Sequence, residues 1–143
     1  MTQIIIATHG DLATGLKMST EFIMGTQSNL TAIPAYTEKC ASVEDAVHNI
    51  IDAHPKDDLV AITDILGGSV NTEVNSIIHN RPNTYQICGA NLPLIIQLII
   101  NLKTTDTASA VAIAIRSGKE GILNFKEYED KQAPTDENDF DSF

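Results

Sequence analysis

Short apolar runs alternate with helix-length segments along most of this chain. The first run, Ile4–Ala7, is apolar at every position and ends at Thr8-His9-Gly10. Such a run is typical of a strand that is buried on both faces of a parallel sheet. Further strands are predicted at Asn29–Pro34, Asp58–Asp64 and Tyr85–Cys88. The alternation therefore predicts an α/β fold with an open, doubly wound, mostly parallel sheet and helices on both faces.

The segments between the predicted strands repeat apolar residues every three or four positions, as amphipathic helices do. Ser42 suits the N-cap of one such helix, since its hydroxyl can accept a backbone N–H. Gly118 and Gly121 are interpreted as the frame of a last short strand, Ile122–Phe125. The predicted helices are Asp11 to Gly25, Ser42 to Pro55, Val70–His79, Leu94–Leu102 and Asp106–Arg116.

The length of 143 residues favours a single compact domain, which we place at residues 1–126. Residues 127–143 hold seven acidic side chains against one basic side chain, Lys131, with almost no aliphatic residues. Such a composition does not bury enough apolar surface to fold alone. We therefore expect residues 127–143 to form an acidic, disordered tail.

Charge and cysteine content exclude several classes of protein. Nine basic and nineteen acidic residues give a net charge of −10, so the basic surface of a nucleic-acid binder is missing. Cys40 and Cys88 lie far apart without a CxxC spacing, which fits a reducing compartment. The longest apolar stretch is interrupted and about half the length that a membrane span needs. We therefore expect a cytoplasmic protein.

Two ionisable residues follow predicted strands, and parallel sheets bind ligands at this edge. His9 follows the first strand and Asp64 the third. In the common order 2-1-3-4 these strands are neighbours at the point where the strand order reverses. Alone, His9 would be an exposed or capping histidine and Asp64 a turn residue. Together they predict a catalytic pair in which Asp64 holds the His9 Nδ1–H and leaves Nε2 as the nucleophile.

The tripeptide Gly67-Gly68-Ser69 follows Asp64 and opens a predicted helix. Glycine lets a ligand approach the backbone closely, and the first N–H groups of a helix are unpaired. Ser69 is expected to cap this helix or to donate its hydroxyl to a phosphate oxygen. A serine-capped tight turn is the simpler alternative. The three residues are therefore candidates for phosphate binding, and the sequence contains no metal-ligand spacing.

Four segments resemble, in order and spacing, those of the mannose-class enzyme IIA components of the bacterial sugar phosphotransferase system. The first is Ile4 to Gly10, with its Thr-His-Gly ending. The others are Asp64 with Gly67-Gly68-Ser69, Gly89-Ala90-Asn91-Leu92-Pro93, and Gly118-Lys119-Glu120-Gly121-Ile122. The resemblance covers residues 3–126. Two positions depart from the usual pattern, Asp11 after the Thr-His-Gly motif and Val70 in place of proline.

The resemblance implies that His9 is phosphorylated, that Asp64 is its partner, and that Gly67, Gly68 and Ser69 lie beside the phosphoryl group. It implies a donor, phosphorylated HPr, and an acceptor, a IIB domain or subunit that serves membrane subunits IIC and IID. It also implies a homodimer in which an antiparallel C-terminal edge strand is swapped between copies. No cofactor or metal is expected, because the nucleophile is neutral and there is no polyphosphate to neutralise.

Three other functions remain open from the sequence. The same domain could serve as the phosphoryl subunit of a dihydroxyacetone kinase. A flavodoxin-like binding module with a structural His9 is the second alternative. The third is a serine hydrolase, although Ser69 lacks the G-x-S-x-G turn of that class.

Overall fold

A computed structural model describes residues 1–132 of the chain. Its four-stranded sheet has the order β2-β1-β3-β4, and every neighbouring pair is parallel. The predicted α/β class and the order 2-1-3-4 are confirmed. The strands are β1 Thr2–His9, β2 Leu30–Ala35, β3 Asp58–Thr63 and β4 Thr84–Cys88.

Residues 1–132 contain six helices, and the first five pack against the strands or against one another. Ser42 caps the second helix as predicted, and its Oγ accepts the Asp45 N–H at 3.1 Å. The apolar run Leu94–Leu102 is helical, with Pro93 in the first turn, where its missing N–H has no consequence. The helices are α1 Leu12–Met24, α2 Val43–Ala53, α3 Ser69–Ile78, α4 Leu92–Leu102, α5 Thr107–Glu120 and α6 Phe125–Lys131.

The apolar strand β1 separates two cores, because successive side chains point to opposite faces of a sheet. Ile4 and Ile6 pack into a core formed with α1, α4 and α5. Ile5 and Ala7 pack into a second core formed with α2 and α3. All four side chains are buried. The continuous apolar run therefore follows from helices on both faces, as the sequence predicted.

The predicted strand at Ile122–Phe125 is wrong for the chain described here. Helix α5 continues to Glu120, residues 122–124 have no regular structure, and Phe125 begins α6. Gly118 and Gly121 do not frame a strand but permit close helix packing. A Cβ at Gly118 would lie 2.9 Å from the Leu94 Cβ, and one at Gly121 would lie 3.0 Å from the Pro93 ring.

The predicted acidic tail is also partly corrected. Residues 127–131 belong to α6, which Asn124 caps by accepting the Glu127 N–H. This cap supplies the local stabilisation that composition alone does not reveal. Residues 133–143 lie outside the described part of the chain, so the prediction of disorder there stays a prediction. No helix within residues 1–132 is long and apolar enough to cross a membrane.

Candidate functional site

The sheet brings His9 and Asp64 together at its carboxyl edge. Ala7 lies opposite Thr63 in the parallel register of β1 and β3, so both strands end side by side. The His9 Nδ1 lies 2.9 Å from the Asp64 Oδ2, and the backbone N–H of His9 donates to the same oxygen at 2.9 Å. One carboxylate oxygen therefore holds both the ring and the main chain of His9.

Electrostatics at Asp64 fix the tautomer of His9. Burial would raise the pKa of the Asp64 carboxyl, but hydrogen bonds from the His9 backbone, the His9 ring and the Ile65 N–H lower that pKa overall. The carboxylate is therefore ionised near neutral pH and only accepts hydrogen bonds. The His9 Nδ1 must donate to it, which leaves Nε2 with a free lone pair when the ring is neutral.

The Thr-His-Gly segment turns the chain from β1 into α1. The buried Thr8 hydroxyl accepts the Ala13 N–H at 2.7 Å and caps the helix. Asp11 occupies the N-cap position, but its side chain makes no capping bond. Gly10 has a φ of +62°, a region that side-chain-bearing residues rarely adopt. The residues on both sides of His9 therefore fix the turn that presents its imidazole. The His9 side chain is 38% exposed.

The predicted phosphate-binding residues lie beside the imidazole, but they contribute in different ways. Gly67 has a φ of +74° and donates its N–H to Asn71 Oδ1, while the Gly68 N–H donates to the Ile65 carbonyl. Both glycine N–H groups are thus used within the turn. A Cβ at Gly68 would lie 3.4 Å from the His9 Cε1. The absence of a side chain is therefore what Gly68 contributes.

Ser69 is the first residue of α3 rather than its N-cap, which is Gly68. The predicted capping role is therefore wrong, and the hydroxyl is directed to the imidazole, with Oγ 3.4 Å from the His9 Nε2. No side chain within residues 1–132 caps α3. The N–H groups of its first turn, at Ser69, Val70 and Asn71, have no partner within the helix. Together with the Ser69 hydroxyl they form a set of donors for an anion.

Tyr36 completes the site, and the sequence interpretation missed it. Its hydroxyl lies 2.6 Å from the Ser69 Oγ, and its ring centroid lies 5.7 Å from that of His9. Tyr36 directly follows Ala35, which lies opposite His9 in the register of β1 and β2. The rule that found His9 and Asp64 therefore also applies to Tyr36. Within residues 1–132, no three His, Cys, Asp or Glu side chains are grouped to hold a metal ion.

Known proteins of one family are similar to this chain. The sequence profile of the EIIA-man family, described as PTS system fructose IIA component, matches residues 3–115. The chain is 28% identical over 101 residues to the PTS system fructose-specific EIIA component of Bacillus subtilis (strain 168), covering 69% of each protein.

Solved structures show the same fold. A phosphoenolpyruvate-dependent sugar phosphotransferase system permease from Klebsiella pneumoniae is similar, with a TM-score of 0.80 and 34% identity over 90% of this chain and 93% of that one. The mannose/sorbose-specific IIA subunit from Enterococcus faecalis has a TM-score of 0.72 at 16% identity, covering 86% of this chain and 93% of that one. At that identity the second likeness concerns the fold alone.

Proposed function

Because this chain belongs to the EIIA-man family, and is thus an EIIA component of the sugar phosphotransferase system, we propose that it carries a phosphoryl group on His9. The observation that supports this most is the orientation of the imidazole. Asp64 holds Nδ1 at 2.9 Å, and Nε2 faces the Ser69 hydroxyl at the start of α3. A fixed imidazole with its lone pair beside anion-binding donors suits phosphoryl transfer.

In the proposed reaction, the His9 Nε2 attacks phosphorus while the bond from phosphorus to a histidine nitrogen of the donor breaks. The electron pair of the broken bond returns to the donor imidazole. Positive charge develops on the His9 ring, which keeps its proton on Nδ1. The Asp64 carboxylate lies 2.9 Å away and stabilises that charge. The transition state is loose, so positioning and electrostatics supply most of the catalysis.

The phosphoryl oxygens would be held by the Ser69 hydroxyl and by the N–H groups at the start of α3. Removing one preorganised donor of this kind costs about 2.7–4 kcal/mol of transition-state stabilisation. Gly67 and Gly68 would contribute shape, because their N–H groups are bonded within the turn. Asp64 would act at the Nδ1 side of the imidazole, and Ser69 would act at the Nε2 side.

Phosphorylated HPr is the proposed donor and a histidine of a IIB domain or subunit is the proposed acceptor, for uptake of mannose-class sugars through IIC and IID. The support is family membership and an exposed surface around His9. Tyr36, Ile65 and Leu66 are large apolar or aromatic side chains that remain exposed there. Apolar centres are typical of docking surfaces, and the net charge of −10 favours basic rims on both partners. The proposal includes the cytoplasmic location that the sequence predicts.

Incubation with phosphoenolpyruvate, enzyme I and HPr tests the proposal directly. Intact mass should increase by one phosphoryl group, and peptide mapping should place an acid-labile phosphate on His9. His48→Gln, on the exposed surface of α2, is the matched histidine control and should accept phosphate normally. Absence of uptake would favour a binding module, and a phosphate on another residue would overturn the role of His9. Phosphorylated protein mixed with a IIB partner or with a dihydroxyacetone kinase separates the two acceptor pathways.

A hydrolase is a second candidate, because Ser69, His9 and Asp64 are aligned at 3.4 and 2.9 Å. Such an order also occurs in hydrolytic triads. The residues around Ser69 argue against it, since they lack the G-x-S-x-G turn of that class. An ester-hydrolysis screen with trapping by a serine reagent decides between the two. Labelling of Ser69 would favour the hydrolase.

A homodimer is the remaining part of the proposal. Ile122 and Leu123 are exposed after α5, and β4 is an edge strand of the sheet within residues 1–132. Exposed apolar residues and open strand edges are both typical of association surfaces. Sedimentation equilibrium should give twice the chain mass, and a monomer at all concentrations would refute the homodimer.

A further inference from the structure

Tyr36 forms an unusual link to the nucleophile. Its hydroxyl lies 2.6 Å from the Ser69 Oγ, and that oxygen lies 3.4 Å from the His9 Nε2. The side chain is otherwise open to solvent, with 66% of the residue exposed. Burial in the core therefore does not explain its position.

The backbone at Tyr36 supports a specific role. Its φ is +63°, a left-handed conformation that aromatic residues seldom adopt. The following turn holds it there, since the Thr37 hydroxyl donates to the Pro34 carbonyl at 2.7 Å and the Cys40 N–H donates to the Thr37 carbonyl. Residues kept in such conformations by their surroundings cluster at functional sites.

The direction of the hydrogen bonds follows from Asp64. Because the ionised carboxylate takes the His9 Nδ1–H, the neutral ring can only accept a bond at Nε2. A hydrogen bond between Ser69 and Nε2 therefore requires the Ser69 hydroxyl to donate its single hydrogen, and the Ser69 oxygen can then accept from the Tyr36 hydroxyl. In this arrangement Tyr36 donates to Ser69 and Ser69 donates to the His9 Nε2, and linked hydrogen bonds of this kind polarise one another.

We propose that Tyr36 is a positioning residue for phosphoryl transfer, which orients the Ser69 hydroxyl toward the His9 Nε2 before transfer and toward a phosphoryl oxygen afterwards. For its effect on transfer, this inference rests on the proposed function. Once phosphorus occupies Nε2, that lone pair no longer accepts, and the Ser69 hydroxyl turns to the new oxygen. The Tyr36 bond keeps the serine oxygen in place during this change.

A double-mutant cycle tests the inference. Single-turnover phosphorylation by saturating phospho-HPr should be about 3- to 10-fold slower in Tyr36→Phe, the range expected for one hydrogen bond. In a Ser69→Ala background the same substitution should change the rate by less than about 2-fold, since its target is gone. Tyr85→Phe, in β4, is the matched control and should leave the rate unchanged. Equal losses in both backgrounds, or no loss in either, would overturn the inference.

A spectroscopic measurement separates this inference from the proposed function. In the unphosphorylated protein at alkaline pH, the 15N resonance of the His9 Nε2 reports the hydrogen bond that this nitrogen accepts. Tyr36→Phe and Ser69→Ala should both move it toward the value of an unbonded imidazole nitrogen, whereas Tyr85→Phe should not. An unchanged resonance in Tyr36→Phe refutes the positioning role even if His9 accepts phosphate. If the resonance shifts in Tyr36→Phe but the protein accepts no phosphate, the hydrogen-bond chain is supported and the phosphoryl function is refuted.

Discussion

Two aspartate–histidine pairs lie at opposite ends of β3, and only one has the surroundings of a reaction site. At the carboxyl end, the Asp64 and His9 side chains are 10% and 38% exposed and 2.9 Å apart. At the amino end, Asp57 and His54 are 25% and 44% exposed, and their closest nitrogen and oxygen atoms are 3.4 Å apart. An aspartate–histidine contact by itself therefore does not define a site.

The helix termini differ between the two ends. His54 is the C-cap residue of α2, where the helix dipole is negative. His9 instead lies beside Ser69, at the positive beginning of α3. The Asp57 carboxylate also has two other partners. It accepts a hydrogen bond from the Gln3 side chain at 2.9 Å and lies 3.6 Å from the amino group of Met1. An anion is therefore favoured at one end of the sheet and disfavoured at the other.

The largest expected contrast is between the two histidines. His9→Gln should remove phosphoryl acceptance from phospho-HPr completely, because the amide has no nucleophilic lone pair on nitrogen. His54→Gln should keep the wild-type rate. Radiolabelled phosphate bound per chain measures both. Labelled His9→Gln protein, or loss of labelling in His54→Gln, would break the comparison.

The two aspartates should differ next. Asp64→Asn should slow transfer about 100-fold, similar to the loss of one charge-stabilising group in other active sites. Asp57→Asn should stay within about 2-fold of wild type, since it lies at the far end of the sheet. Rapid-quench measurements give both rates, and circular dichroism checks the fold. Similar rates for both variants would remove Asp64 from the mechanism.

Adding a methyl group beside the imidazole should have a smaller effect on the transfer rate. Gly68→Ala places a Cβ 3.4 Å from the His9 Cε1 and 3.2 Å from the Ile65 carbonyl oxygen, so transfer should slow about 3- to 10-fold through displaced reacting groups. Gly15→Ala is the control, because a Cβ there meets nothing within 4 Å. That change should leave transfer unchanged and stabilise the helix by about 0.5–1 kcal/mol. Thermal unfolding together with transfer rates checks both variants.

The smallest contrast concerns stability and pH. Burial opposes ionisation of Asp64, but its hydrogen bonds from His9 and Ile65 lower the pKa of this carboxyl, and the hydrogen bond from Gln3 lowers the pKa of Asp57. A carboxyl whose pKa is lower in the folded state stabilises the fold at pH values above its ordinary pKa of about 3.9, and this stabilisation is lost as the pH falls through the folded-state pKa.

Asp64 is the less exposed carboxylate of the two. Asp64→Asn should therefore reduce the dependence of the unfolding free energy on acidic pH more than Asp57→Asn does. Urea unfolding at a series of acidic pH values measures this difference. A larger loss of the pH dependence of unfolding free energy in Asp57→Asn than in Asp64→Asn would contradict the assignment of Asp64 as the more strongly held carboxylate.

The main features of the fold and site could be predicted because they depend on local patterns and one topological rule. The apolar run of β1 predicted burial on both faces, and the strand order predicted that His9 and Asp64 would meet. The same rule places Tyr36 at this edge. Its left-handed backbone and its bond to Ser69 depend on the Pro34–Cys40 turn, which no residue pattern specified.

The C-terminal prediction failed for a different physical reason. Gly118 is compatible with a turn, and Ile122–Phe125 is compatible with a short strand. Tertiary contact decided otherwise, because Gly118 packs at the start of α4, where a Cβ would clash with Leu94. Helix α5 therefore continues past Arg116, where the sequence prediction ended it. Packing against another helix cannot be derived from local propensity.

The oxygen of Asp64 that binds both the main chain and the ring of His9 has a consequence for how a relay can work. Because the ring and the main chain of His9 are both held, the imidazole is fixed in place rather than free to swing. In the proposed relay, each partner would therefore bring its own reacting histidine to within reach of the fixed imidazole. On that proposal, discrimination among partners would depend on the shape of the surface around the imidazole, which can change without any alteration of the chemistry.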